Sequence, residues 1–254
     1  MESRLRRWHG QTVWPLGVLL AASVTLGSAW ADNDAVQVPP DLTPMASAPA
    51  LPPFHEMEAG PERKDAFIEY LAPIVEQVNQ EIAKRREALL IEAWLNEGRE
   101  LDADEQAWLN QMVLRYRVSR GSNAEQVEAL KRRMDGIPVS LALAQGALES
   151  SWGSSRFARE GNNLFGKWCF TAGCGIVPGR RAENATHEVE AYGDAAESVR
   201  SYMHHLNSHP IYEVLRERRA QARAEDRPPQ GSDLAAGLVL YSAKGDEYVG
   251  WIRR

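Results

Sequence analysis

The stretch Val139–Ser150, VSLALAQGALES, constrains the fold more than any other part of the chain. Twelve residues of helical character carry almost nothing larger than leucine, so neighbouring elements can close tightly around all sides of it. Such a helix belongs at the centre of a core. It runs straight into SWGSSRFAREGNNLFG, a loop rich in glycine and asparagine, and a single carboxylate, Glu149, stands at the junction. With Leu148 and Trp152 beside it and the next acids in sequence, Asp135 and Glu160, well removed, burial would favour its protonated form. A carboxylic acid kept neutral in this way can deliver a proton to a leaving oxygen. The same position also reads as an ordinary surface glutamate in a last helical turn, although negative charge is mildly unfavourable there.

Other helices surround this one. Phe67, Leu71, Ile74, Val75, Val78 and Ile82 recur at three and four between Glu62 and about Asn96, with Pro73 as a kink or a true start. LDADEQAWLNQMVLRYRV offers Asp102 or Asp104 as a cap ahead of an apolar stripe, and NAEQVEALKRRM makes a further short helix ended by Gly136 and Pro138. Between about Leu164 and Tyr192 the texture changes. KWCF, GIVP and THEVEAY favour strands and are separated by turn residues, which predicts a small two- or three-stranded lobe. Helices resume over 195–224 and 232–241. The fold class expected is α+β, mainly α, with a small β lobe beside a helical body and a groove between the two.

The N-terminus has a separate logic. Arg4, Arg6 and Arg7 precede an apolar run from Val13 to Leu26, and SAWA sets Ala29 and Ala31 in a small-x-small pattern. This predicts a signal peptide over residues 1–31 and export, most simply to a periplasm. The apolar run is short for a retained membrane anchor, so no stable membrane insertion is expected after cleavage. Residues 32–61 hold seven of the fourteen prolines and read as a flexible Pro/Ala-rich linker. A helical segment over 62–134 and a catalytic domain over 135–254 complete the division. The formal net charge of −6, with no basic stripe, argues against nucleic acid as a partner. Cys169 and Cys174 are the only cysteines, and in an oxidising compartment they are expected to form a disulfide. His204, His205 and His209 are the only histidine cluster, but no acidic partner completes a metal motif, so neither metal nor cofactor is expected.

Three stretches together, LALAQGALESSWGSSRFAREGNNLFG, EVEAYGDAAESVRSYMHHLNSHPIY and LVLYSAKGDEYVGWI, resemble the Bax-type branch of the bacterial peptidoglycan N-acetylglucosaminidases. Flagellar and autolysin glucosaminidase domains belong to the same family. The resemblance runs from about Pro138 to Trp251, and more loosely through the preceding helices. It implies a lysozyme-like fold, peptidoglycan glycan strands as substrate, and hydrolysis of the β-1,4 bond after N-acetylglucosamine. It makes Glu149 the general acid and places Tyr241 near the scissile sugar. Trp152, Asn162, Asn163, Phe165, Tyr192 and Tyr248 fall at substrate-binding positions, with packing as the competing role for Tyr192.

Two departures stand out. The family's commoner motif is ESGWG, whereas Ser151 occupies the glycine position, which matters if that residue needs a positive φ. A second carboxylate on the β lobe does not align cleanly; Glu183, Glu188 and Glu190 are candidates, with Glu188 favoured. Inverting, retaining and substrate-assisted hydrolysis all stay open. A lytic transglycosylase and an inactive wall-binding scaffold are the alternatives, and the N-terminal helices could form an autoinhibitory lid.

Overall fold

The computed structural model describes residues 47–90, 100–179, 181 and 184–254. The expected leader, the first half of the linker, the end of the first predicted helix and Glu183 lie outside the described residues. Helix α1 (Pro61–Glu87) opens with proline at its first position and closes on Lys84, Arg85 and Arg86, which suits the helix dipole at both ends. Pro73 lies inside it and does not end it. Helices α2 (Ala103–Arg115) and α3 (Asn123–Arg133) each begin with a capping box, Asp102 with Glu105 and Ser122 with Glu125.

The small-residue helix α4 (Val139–Ser150) packs against α1 on one side and against α8 (Gly231–Leu234) and α9 (Asp246–Ile252) on others. Gly146 explains how close α1 comes: a Cβ there would stand 2.9 Å from Leu71 and 3.5 Å from both Phe67 and Phe165. Beyond the short α5 (Arg156–Gly161), the helices expected over 195–224 are α6 (Ala195–Ser208) and α7 (Glu213–Ala224). Pro210 has no N–H to continue the ladder and instead opens a 3-10 turn. Helices α5 and α9 were not anticipated, because six or seven residues carry too little periodicity. The helix expected over 232–241 shortens to α8 and a 3-10 turn at Ala235–Leu238.

The β lobe is a three-stranded antiparallel sheet of very short strands, β1 (Trp168–Cys169), β2 (Gly175–Ile176) and β3 (Glu188–Glu190), with β3 in the middle. Trp168 faces Val189 and Cys169 faces Glu188 on one side; Gly175 faces Glu190 on the other. The Cys169–Cys174 disulfide closes the β1–β2 loop, as the sequence predicts. Among the described residues no helix is long and apolar enough to cross a membrane.

Two expectations need correction. The described end of the linker, 47–60, is not a free tether. Phe54 is fully buried, edge-on to Phe67 and Tyr70 with ring centroids 5.7 and 5.9 Å away. The Ala48 amide donates to Asp194, and the Tyr70 hydroxyl donates to the Pro49 carbonyl. A proline-rich strand has few amides to satisfy, so it can lie along a surface once one large apolar side chain seats it. Nor does residue 134 divide two cores. The apolar face of α1 belongs to the main core with α4 and α6, whereas α2 and α3 enclose a satellite cluster around Trp108, Leu109, Met112, Leu130 and Met134. Arg219, 1% exposed, fastens the satellite to the body. One of its terminal nitrogens donates to the carbonyls of Asp135 and Gly136 and to Asn207, and the other reaches the Arg132 carbonyl.

Candidate active site

Helix α4 presents Gln145 and Glu149 on one face, four residues apart. Gln145 is fully buried, so both ends of its amide require partners. Its oxygen accepts from the Tyr202 hydroxyl at 2.7 Å, and its nitrogen donates to the Tyr248 oxygen at 3.0 Å. With its acceptor side used, the Tyr248 hydroxyl turns its proton to the Glu149 carboxylate. Three elements thus converge on one acid: α4, α6 through Tyr202 and α9 through Tyr248.

Glu149 is half-buried, and that burial raises its pKa above the usual carboxylate range; the hydrogen bond from Tyr248 partly opposes the rise. The opposite wall is backbone. A Cβ built on Gly166 would stand 3.1 Å from Glu149 Oε2. Tyr241 stacks on Tyr248 with centroids 5.6 Å apart, and Tyr212 follows at 6.1 Å from Tyr241. These phenols and Tyr202 are kept neutral by burial first, and then by one another and by Glu149. An acid with a raised pKa, one side on glycine backbone and the other on neutral hydroxyls, can give up a proton and take it back.

The turn after the acid is left-handed over three consecutive residues: Ser151 at φ 52°, Trp152 at 59° and Gly153 at 74°. Position 151 does need a positive φ, which explains why glycine is the commoner residue in the resembled motif and gives serine a local cost. Ser150 holds the turn, its hydroxyl donating to Gly146 O and accepting from Gly153 N. At Gly153 a Cβ would meet the Phe54 ring at 2.4 Å, so the seated strand 47–60 rests directly on this turn. The half-buried Trp152 ring packs edge-on against Phe67, with the Lys64 ammonium 5.3 Å from its centroid.

The asparagine motif is scaffolding. Asn162 sits in the left-handed region as the cap of α5 and donates to the carbonyls of Tyr192 and Gly193. Asn163, 2% exposed, donates to Lys167 O and Glu190 O and accepts from the amides of Phe165 and Lys167. Phe165, 1% exposed, stacks on Tyr202 at 4.0 Å. The side chains of Asn163 and Phe165, expected at substrate-binding positions, are buried and hold the floor from below. Tyr241 also acts on this floor, its hydroxyl donating to Phe165 O at 2.8 Å. Tyr192 donates to Glu190 at 2.8 Å and lies 3.0 Å from the Ser201 hydroxyl.

Glu188, the favoured second carboxylate, is engaged by the backbone of the β lobe. Its carboxylate accepts from the amides of Gly173 at 3.1 Å and Gly175 at 2.8 Å, and these bonds lower its pKa. In this structure it braces the disulfide loop. Its oxygens lie within 4.8 Å of both cysteine sulfurs, but those sulfurs are bonded to each other, which removes them as metal ligands. Glu190 accepts from Tyr192 and lies 3.8 Å from the Lys167 ammonium. His205 meets Tyr212 edge-on, and burial pushes its pKa down to about 4, with Lys167 adding to the effect. Gln145, Tyr202 and Tyr212 escaped the sequence reading. Gln145 alone left a signal, as the one polar residue inside an apolar helix, one turn before the acid.

Comparison with known proteins identifies the family of the chain. Residues 124–236 match the glucosaminidase family, described as mannosyl-glycoprotein endo-beta-N-acetylglucosaminidase. Protein bax of Escherichia coli (strain K12) is 32% identical over 205 residues, which cover 80% of this chain and 72% of that protein. No solved structure matches the chain.

Proposed function

From the premise that this chain belongs to the Bax-type glucosaminidase family, we propose that it hydrolyses the β-1,4 bond after N-acetylglucosamine in peptidoglycan, with Glu149 as the general acid. The observation that carries this reading is the Glu149 carboxyl itself, half-buried, raised in pKa, and set between Gly166 and the Tyr248 hydroxyl. A neutral carboxyl protonates the glycosidic oxygen as the C1–O bond breaks.

Among the described residues, the acids of the β lobe, Glu188 and Glu190, favour substrate assistance for the other half of the reaction. Glu188 is committed to loop amides, and Glu190 to Tyr192 and Lys167. The 2-acetamido oxygen of the sugar then attacks C1 as the leaving oxygen takes the Glu149 proton. Water opens the resulting oxazolinium ion, giving its proton back to Glu149. The two displacements retain the anomeric configuration.

The test is turnover of purified sacculi. Glu149→Gln lowers the rate of muropeptide release by about 10²- to 10⁴-fold, and undiminished release removes Glu149 from the mechanism. Proton NMR of the first-formed anomer reads the second half: a β product supports substrate assistance, and an α product requires a water-activating carboxylate. Products ending in anhydro-muramic acid identify a transglycosylase instead, and no turnover by the unaltered protein identifies a wall-binding scaffold.

A further inference from the structure

The β1–β2 loop exposes large apolar side chains that the fold does not use. Trp168 is 55% exposed, Phe170 72% and Val177 47%. The Trp168 indole lies flat against the His187 ring, with centroids 4.1 Å apart and planes 16° apart. Yet the loop is held twice. The disulfide joins Cys169 to Cys174, and Glu188 grips the amides of Gly173 and Gly175 from below. Neither restraint needs an aromatic at position 170, and leaving phenylalanine in water forgoes the stabilisation that its burial would give. A rigid loop that presents aromatic surface has the character of a preformed binding site, because little entropy remains to be lost when a ligand lands.

We propose that Trp168 and Phe170 form a glycan-stacking site on this loop, gripping N-acetylated pyranose rings away from the bond at Glu149. This rests on the glucosaminidase reading above. Continuity selects the occupant. Gly166 touches the acid, Trp168 follows two residues later, and Phe170 lies within about 14 Å of chain reach from Gly166. One strand of linked sugars can therefore touch both places. The chemistry fits too: a flat aromatic face takes the C–H face of a β-linked pyranose and its acetamido methyl. Arg181, whose guanidinium donates to the carbonyls of Thr186 and His187, places a cation near the lactyl and peptide carboxylates of a wall polymer.

The experiment measures binding apart from turnover. Full-length protein carrying Glu149→Gln is co-sedimented with purified sacculi, alone and combined with Phe170→Ala, Trp168→Ala or Phe170→Tyr. Phe170→Ala weakens binding about five- to tenfold, and Phe170→Tyr restores it. Trp168→Ala also removes the His187 contact, so Phe170→Ala, from an exposed position, is the decisive variant. Leu114→Ala on α2, equally exposed, is the control and leaves binding unchanged. The proposal is overturned if Phe170→Ala binds like its parent, or if Leu114→Ala costs as much. It is also overturned if Phe170→Ala loses binding only to vesicles of phosphatidylethanolamine and phosphatidylglycerol. If the protein with Glu149 intact shows no turnover of sacculi while Phe170→Ala still loses binding, the hydrolase reading fails and this site is left standing.

Discussion

Tyr248 is the residue through which the rest of the molecule acts on the acid. Its hydroxyl donates to Glu149 and lowers a pKa that burial has raised. Removing that donor in Tyr248→Phe raises the Glu149 pKa further, so the acid form persists to higher pH. The alkaline limb of kcat against pH on sacculi then moves upward; an unmoved or lowered limb contradicts the assignment. The same variant leaves the Gln145 amide short of an acceptor, at a cost of about 1–3 kcal/mol. Glu149 itself carries a stability signature. Its folded pKa exceeds the unfolded value, so between the two the native state holds more protons, and stability falls as pH rises through that window. Glu149→Gln abolishes this dependence. Its melting temperature equals that of the unaltered protein below the ordinary glutamate range and exceeds it at neutral pH. The acid was legible in the sequence because it ends an apolar helix. Its regulator was not, because Gln145 and Tyr248 are 103 positions apart and no local pattern joins them. The surroundings of Glu188 were hidden for a related reason, since the strand sequence says nothing of the loop amides that fold back to meet it.

Among the elements, the left-handed turn Ser151–Gly153 was only half visible. The sequence posed the question of φ at position 151, and the structure answers it at 52°. Relieving a β-carbon in that region is worth about 1–2 kcal/mol, offset by the greater freedom of unfolded glycine, about 0.5–1 kcal/mol. Ser151→Gly therefore stabilises the protein by about 0.5–1 kcal/mol, read as a rise of about 1–4 °C in Tm. A fall in Tm would mean that the serine side chain makes a compensating contact. The longer helices were readable, α1 from its apolar period, α2 and α3 also from their caps, and α4 from its small residues. The short α5 and α9 were not, since they are held by what they pack on. The strands were found from composition, but their order, with β3 between β1 and β2, follows from pairing that only the folded lobe displays.

For the whole molecule, the division expected at residue 134 fails because one face of α1 is part of the main core. A chain beginning at residue 103 lacks that wall. It gives no cooperative thermal transition and no activity on sacculi, whereas an autoinhibitory lid would leave it folded and more active. The milder variant Phe54→Ala keeps every helix but empties the space beneath Gly153, costing about 3–5 kcal/mol in denaturant unfolding. Composition concealed this, since prolines and alanines look alike in a loose tether and in a seated strap. The linkage of Tyr202, Gln145, Tyr248 and Glu149 has one more consequence, for the time before folding is finished. A nascent polypeptide that has emerged only as far as residue 245 carries the complete helix of the acid but lacks the hydroxyl that tunes it. During synthesis Glu149 is thus in place before the hydroxyl that adjusts its pKa, and the arrangement is complete only once α9 has docked.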